Sequence, residues 1–426
     1  MRYHQLHQWL AERLPFEIFL PFFRNKKVPI HRYSLWYYLG NVILTCLLIQ
    51  IVTGVILLFH YQPTPATAYE SIRLLILKVR YGWLIRSLHL WGANVMIAAL
   101  WVHLFSTFFS KAYRRPREFI WLTGCILFII VMGLGFSGYL LPWSEHSFLA
   151  TRVGTGIAGQ TPLIGHGLKI FLRGGEEIGD ATLTRFFALH VAFLPLALIA
   201  VAGLHLLLIQ LHGLSVPLSF EEKKFSLEKI SFFPEFVLRD LAISCWIIGI
   251  VVIFAVLFPC EAGKKLDPQL IAPDAAIPAW YFIFMFNILR FMPAKIGSMD
   301  GSQLGILFLG AGFLFIFLTP FIERNSKKGK SSPFFTITGI VMVIFILLMT
   351  LFSLESDHLI QKIATETIIP VQSEINQAQY ILARKQIPGM IVFVASIISL
   401  GILLWRKARD LEILRKQGFF LEFRRD

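Results

Sequence analysis

The chain has 426 residues, 56% of them hydrophobic and 15% charged, with Lys and Arg outnumbering Asp and Glu by 40 to 26. So apolar a composition excludes a soluble enzyme, because several runs exceed the roughly 18 residues that argue for a membrane-spanning helix. The net charge of +14 does not indicate a nucleic-acid partner, because the basic residues are divided among loops rather than gathered on one module. Residues 1–33 are mixed polar and aromatic, with no apolar core or small-residue cleavage site of a signal peptide. Within this arm Trp9, Leu10, Leu14, Phe16, Phe19 and Leu20 sit among charges, a pattern suited to lying on a membrane surface.

The apolar pattern predicts an all-α polytopic membrane protein with eight spans, roughly 35–60, 83–110, 119–141, 186–210, 240–258, 303–322, 334–354 and 388–405. Alternate connections then share a side. One side, with both termini, holds 25 of the 40 Lys and Arg in about 100 residues. The other holds 14 in about 140, and Arg86 lies within a span. The positive-inside rule therefore puts both termini in the cytoplasm (the negative, n side) of a bacterial inner membrane. The long loops 142–185 and 259–302 on the opposite, p side carry Gly154, Gly156, Gly159 and Pro259, Pro268, Pro273, with apolar stretches suited to short interfacial helices. The expected division is an n-side arm (1–34), a four-helix domain (35–212), an n-side linker (213–238), a three-helix domain (239–354) and a terminal segment (355–426) with a p-side stretch, the eighth helix and a basic tail.

Four histidines organise the first half. His89 and His103 lie 14 residues apart on the second span; His190 and His205 lie 15 apart on the fourth. At 1.5 Å and 100° per residue each pair spans roughly 21–22 Å and keeps within about 60° of one face. A single histidine on an apolar helix usually serves packing, but two matched pairs on helices running the same way frame two stacked bis-histidine haems. Such irons, with both axial positions filled, transfer electrons rather than activate oxygen. Gly40 and Gly54 on the first span, and Gly124 and Gly138 on the third, repeat the 14-residue step and offer side-chain-free backbone at the same two heights. Arg86 and Arg185 are candidate partners for the propionates of the p-side haem, and Lys111, Arg114 and Arg115 for those of the n-side haem. Cys46, Cys125, Cys245 and Cys260 form no CxxC or CxxCH, which leaves no case for a disulfide framework, a zinc site or c-type attachment.

The stretches GWLIRSLHLWGANV (82–95), RRPREFIWLTG (114–124), GFSGYLLPW (135–143), TLTRFFALH (182–190) and PAWYFIFMFNILR (278–290) resemble the cytochrome b subunit of cytochrome bc complexes. The 15-residue histidine step and LRGG before TLTRFF are similar to the photosynthetic and Firmicutes branch; the single long chain and FFPEFVLRD (232–240) are similar to the fused bacterial form. The resemblance implies two non-covalent b haems on the four histidines. It also implies a p-side quinol pocket between Gly138–Glu145, with Pro142 and Trp143, and Pro278, Ala279, Trp280 and Tyr281. A second quinone pocket would lie near His205, Arg239 and Asp240. One quinol electron would go to a Rieske iron–sulfur protein and a cytochrome c-type subunit. The other would cross both haems to the n-side quinone, with proton release and uptake building a gradient. A homodimeric complex embedded in lipid is implied as well.

Three departures stand out. Where the family places a proton-accepting glutamate in PxWY, this chain has Ala279, so Glu145 and His146 become the candidate bases, with Tyr281 a candidate hydrogen-bond partner of quinol. The position that holds the extra covalent haem's cysteine in the photosynthetic branch is Tyr38, so no covalent haem is expected. The arginine three residues after the n-side histidine of the second span is replaced by Ser106. Alternative readings are a di-haem anchor of another quinone-linked complex, a bc-type complex with altered quinol oxidation, and a transporter using the histidines as a proton relay.

Overall fold

The structure, a computed structural model, describes residues 25–31, 33–218, 228–267, 278–323 and 332–365, with side chains to 351 in the last stretch, and positions Trp9, Arg13, Ile402, Trp405 and Arg406. Where lipid offers no hydrogen bonds, a spanning chain must satisfy its own backbone, and the apolar runs do so as helices. Among the described residues seven stretches are long and apolar enough to cross a membrane: Ser34–Leu58, Gly82–Phe109, Glu118–Leu140, Asp180–His212, Phe232–Leu257, Gly301–Ile322 and Pro333–Leu351. They coincide with the first seven expected spans. The eighth, 388–405, lies outside the described residues except for Ile402 and Trp405.

Strand β1 (Lys27–Ile30) and a 3-10 turn (Ser34–Tyr38) precede α1 (Leu39–Leu58). There follow α2 (Ala68–Lys78), α3 (Gly82–Phe109), α4 (Glu118–Leu140), α5 (Glu145–Gly159), α6 (Gly165–Arg173) and α7 (Asp180–Ala188). A π turn, Leu189–Phe193, leads into α8 (Leu194–His212). The second half holds β2 (Glu228–Ser231), α9 (Val237–Leu257), α10 (Trp280–Phe291), the hairpin β3 (Lys295–Ile296) and β4 (Met299–Asp300), α11 (Gly301–Ile322) and α12 (Pro333–Thr365). The interfacial helices expected in the long loops are α5, α6 and α10. Helix α2 was not foreseen, being too short to show as a span. Its close approach to α3 depends on Gly82, where a Cβ would stand 2.0 Å from the Leu75 carbonyl oxygen.

Helix α3 packs on α1, and α8 on α4, whereas the two histidine-bearing helices α3 and α8 make little backbone contact with each other. The four-helix bundle is therefore open along its centre. The π turn has a local cause: Pro195 lacks an N–H and cannot close the ordinary helical bond to the turn before it. The chain widens there by one residue.

The two ends of the bundle are pinned differently. At the basic end, where the first half of the chain departs from an all-helical plan, β1 pairs antiparallel with β2 (Val28 opposite Ile230). Thus Lys27–Ile30 of the expected surface arm is a strand. Beside it Lys111, 2% exposed, faces Glu323, 0% exposed, at 3.3 Å, and the Tyr113 hydroxyl donates to the same carboxylate. Burial pushes the Lys111 ammonium below its ordinary value, and Glu323 pulls it back up. At the opposite, loop end, residues 258–265 are stitched to the first half. Arg86 donates to the carbonyls of Cys260 (2.8 Å) and Glu261 (2.7 Å), Tyr69 to that of Gly263 (2.8 Å), and the Glu145 N–H to that of Lys264 (3.0 Å).

Removing one member of a buried ion pair strands the other, typically at about 3–5 kcal/mol. Glu323→Ala is accordingly expected to lower the unfolding transition of the detergent-solubilised protein by several degrees or more, measured by tryptophan fluorescence. Glu323→Gln, which keeps an acceptor for Tyr113, should cost less.

Candidate functional site

His89 and His190 face each other across the open centre near the loop end, with ring centroids 6.2 Å apart and planes at 72°. A metal held between two imidazole nitrogens at about 2.0 Å each, with ring centres about 1.1 Å further out, would put the centroids roughly 6 Å apart. The gap thus fits an iron between the rings. His103 and His205 stand opposite one another towards the basic end and interact electrostatically.

Three of the four glycines lie against the histidines themselves. A Cβ at Gly54 would meet His89 Cε1 at 3.3 Å, one at Gly124 would meet His205 Cε1 at 3.3 Å, and one at Gly138 would come within 2.5 Å of His190 Cε1. The missing side chains make room for the imidazoles to recline against α1 and α4; Gly40 has nothing within 4 Å of that position.

Sequence reading missed the residue before each of those three glycines. Thr53 Oγ1 lies 2.9 Å from His89 Nδ1, Thr123 Oγ1 lies 2.9 Å from His205 Nδ1, and Ser137 Oγ lies 3.2 Å from His190 Nδ1, which also meets the Leu134 carbonyl at 3.1 Å. Each hydroxyl donates its own hydrogen to a helix carbonyl, Ile49, Phe119 and Leu134 respectively. Each is therefore left to accept from Nδ1–H, which frees the Nε2 lone pair as a metal ligand. The signal was present in the sequence as Thr or Ser before Gly at three of the four matched heights.

The structure shows where the candidate cations go. Arg86 Nη1 donates to the 260 and 261 carbonyls. Arg185 donates to the carbonyls of Ile170 and Phe171 and lies over the Phe171 ring. Arg114 is 7% exposed and donates to the Val216 carbonyl at 3.1 Å, whereas Arg115 is exposed.

The quinol-pocket candidates divide. Tyr281 lies over Gly135, where a Cβ would come 2.9 Å from its hydroxyl, one turn of α4 from the Ser137–Gly138 pair that seats His190. Tyr281 also interacts electrostatically with Tyr139, whose ring meets His146 edge-on at 5.7 Å. Trp280 Nε1 donates to Asn94 Oδ1 at 2.7 Å. Pro278 and Ala279 are half-buried at the start of α10, and Pro142 is half-buried at the end of α4. Trp143, 6% exposed, packs instead with Leu140, Leu183 and Phe186 in a separate apolar cluster. At the basic end a cavity of about 180 Å³ is lined by His31, Tyr37, Tyr38, Phe236, Arg239 and Trp405. His205 and Asp240 are not in its lining; the Asp240 backbone carbonyl accepts from Asn41 at 2.8 Å.

Helices held apart by paired imidazoles define a multi-pass membrane protein that carries haem for electron transfer. Comparison with known families matches residues 24–213 to cytochrome b/b6/petB and residues 267–372 to cytochrome b(C-terminal)/b6/petD. The chain is 41% identical over 347 residues to a cytochrome bc complex cytochrome b subunit of Chlorobaculum thiosulfatiphilum, covering 80% of this chain and 79% of that one. It is 32% identical to cytochrome b of Rickettsia prowazekii (78% and 82% covered). To cytochrome b6 of Synechococcus elongatus it is 38% identical, over 50% of this chain and all of that one. A solved structure described as a hyperthermophilic respiratory Complex III superposes with TM-score 0.72 at 25% identity, over 93% of this chain and 99% of the other. The chain belongs to the cytochrome b/b6 family, with both family regions on one polypeptide. It is a cytochrome b subunit of a bc-type complex, a quinol:cytochrome c oxidoreductase.

Because a Cβ at Gly138 would need His190 to move by several tenths of an ångström or more, Gly138→Ala is expected to lower the haem content of the purified protein. Gly54→Ala, whose Cβ would meet His89 Cε1 at 3.3 Å rather than 2.5 Å, should lower it less. Pyridine haemochrome stoichiometry and reduced-minus-oxidised spectra measure both.

Proposed function

We propose that this chain holds two non-covalent b haems, one between His89 and His190 and one between His103 and His205. In this reading quinol is oxidised at the loop end against a Rieske iron–sulfur protein, which passes electrons to a cytochrome c-type subunit. A quinone is reduced at the basic end. Haem, when bound, supplies a reversible one-electron carrier at each level. The division of Lys and Arg supports a cytoplasmic basic end with both termini there, in a bacterial cytoplasmic membrane. The complex is a homodimer in this reading, as the family resemblance implies. The observation that carries the quinol site is the seating of Tyr281 on α4 one turn from the residues that hold His190.

Ala279 cannot take a proton, and His146 is the group placed to do so. Its ring lies at the protein surface but is flanked closely enough to be partly desolvated. That desolvation holds the imidazole below its ordinary value, against a smaller opposing pull from Glu145. A neutral imidazole is the form that accepts a proton from a quinol hydroxyl, and the Tyr139 ring packs edge-on against it at 5.7 Å. Glu145 is anchored through its backbone to Lys264 at the start of α5. At the basic end the small cavity under Arg239 matches a quinone headgroup, whose tail would leave towards lipid. Tyr38, where a covalent haem's cysteine would stand, has no thiol to form a thioether and is stacked on Phe236 at 5.1 Å. Arg239 lies over Trp405 at 5.8 Å, a contact from the basic tail to this cavity.

The sign of the pH dependence follows. Lowered below its ordinary value of about 6.5, the His146 imidazole stays neutral into mildly acidic solution, and turnover should fall only when pH drops through the lowered value. His146→Gln is expected to remove that acid limb and to slow quinol-driven haem reduction by about 10²-fold, whereas Glu145→Gln should leave both nearly unchanged. Stopped-flow haem reduction across pH 5–8 distinguishes the two residues. If quinol reduces no haem in the unmodified complex, with both haems present, Ala279 marks a complex with altered quinol oxidation.

A further inference from the structure

The start of α10 is tied to a haem-bearing helix by one side-chain hydrogen bond, Trp280 Nε1 donating to Asn94 Oδ1 at 2.7 Å. Asn94 stands on α3 five residues past His89, about 7.5 Å of helix rise towards the basic end. Trp280 is exposed at a level where lipid covers the surface, so its indole N–H needs a partner within the protein. Asn94 is oriented to be that partner. Its own Nδ2 donates to the Leu90 carbonyl at 2.9 Å, which leaves Oδ1 to accept. The next residue along, Tyr281, is 8% exposed and lies over Gly135 of α4. Consecutive residues on a helix point about 100° apart, so a bond from Trp280 to α3 and a seat for Tyr281 on α4 together fix the rotation of α10. The far end of α10 is tied separately, through Asn287 Nδ2 to the Met349 carbonyl at 2.7 Å.

We propose that Asn94 is a positioning residue of the quinol pocket: by holding the Trp280 indole on α3, it sets the angle at which the Tyr281 hydroxyl meets α4. This rests on the loop-end quinol reading above. Without the acceptor, the indole N–H has no partner in lipid and is drawn towards the membrane–water interface, where tryptophan N–H groups find water. The start of α10 then turns, and Tyr281 leaves the narrow space over Gly135, where a Cβ would come within 2.9 Å of its hydroxyl. Asn94 acts through Trp280, so the effect falls on the fit of quinol rather than on the haem ligands.

The test is stopped-flow haem reduction in the purified complex over a range of donor concentration, with a short-chain ubiquinol and a short-chain menaquinol. Asn94→Leu removes the acceptor at similar size, and Trp280→Phe removes the donor. Asn94→Asp keeps an acceptor of the same shape, neutral as a carboxylic acid away from water. Asn94→Leu and Trp280→Phe are each expected to raise the apparent KM by about three- to tenfold, with a smaller change in maximal rate and unchanged haem spectra. The double variant should be no worse than either single one, and Asn94→Asp should stay close to the parent. An unchanged KM in Asn94→Leu, or effects that add in the double variant, overturn the role of Asn94. If neither quinol reduces haem in the parent complex, the quinol-site reading itself is overturned, and the role of Asn94 with it.

Discussion

Every feature of the first half answers to one constraint: paired imidazoles must be held facing each other across a space that apolar packing would otherwise close. In lipid an unsatisfied polar group is expensive, so a buried imidazole needs partners on both nitrogens. Helices α3 and α8 cannot meet without expelling their histidines. They are kept apart by packing each against a different neighbour, α1 and α4, where glycines admit the rings and hydroxyls fix which nitrogen carries the hydrogen. One glycine and one hydroxyl, adjacent in sequence, do both tasks for three of the four rings. The packing of the bundle and the chemistry of its centre are one arrangement.

The ends of the bundle follow a second logic. The cations that a reading of charge alone assigns to haem propionates, Arg86, Arg114 and Arg185, donate to backbone carbonyls of neighbouring segments. These contacts fasten neighbouring segments to the bundle. Lys111, paired with Glu323 beneath Tyr113, ties the turn after α3 to the end of α11 and so joins the two family regions at the basic end. The 258–265 segment, which runs between the two regions, is tied to the first of them at the other end. Between these fastenings Tyr281 of the second half reaches the wall of α4.

Seven spans, the four histidines and the four glycines were legible because period and spacing survive in a sequence without any knowledge of tertiary contacts. The short helix α2 and the β1–β2 pair were not: neither is long enough to leave a periodic signal, and β1 finds its partner about 200 residues away. Spacing placed the glycines at matched heights; that three of them also lie against the imidazole rings is visible only in the fold. The backbone contacts of the arginines were not legible, since a carbonyl waiting for a donor carries no mark in the sequence. His146 and Glu145 carried equal weight in the sequence; the Tyr139 ring on which the proposal for His146 leans is visible only in the fold.

The π turn at Leu189–Phe193 also settles why one histidine step is 14 residues and the other 15. On a regular helix those steps would differ by 100° in direction and about 1.5 Å in height. A π turn absorbs a single inserted residue and returns the chain to its former phase, so His190 and His205 meet partners set 14 apart. The quantity held fixed is the number of turns between two ligands, not the number of amino acids. A one-residue insertion or deletion inside a membrane helix is usually ruinous because it swings every later side chain to a new face. Here the proline-induced widening makes it silent beyond the turn, so cytochromes b with either step can share one inner geometry.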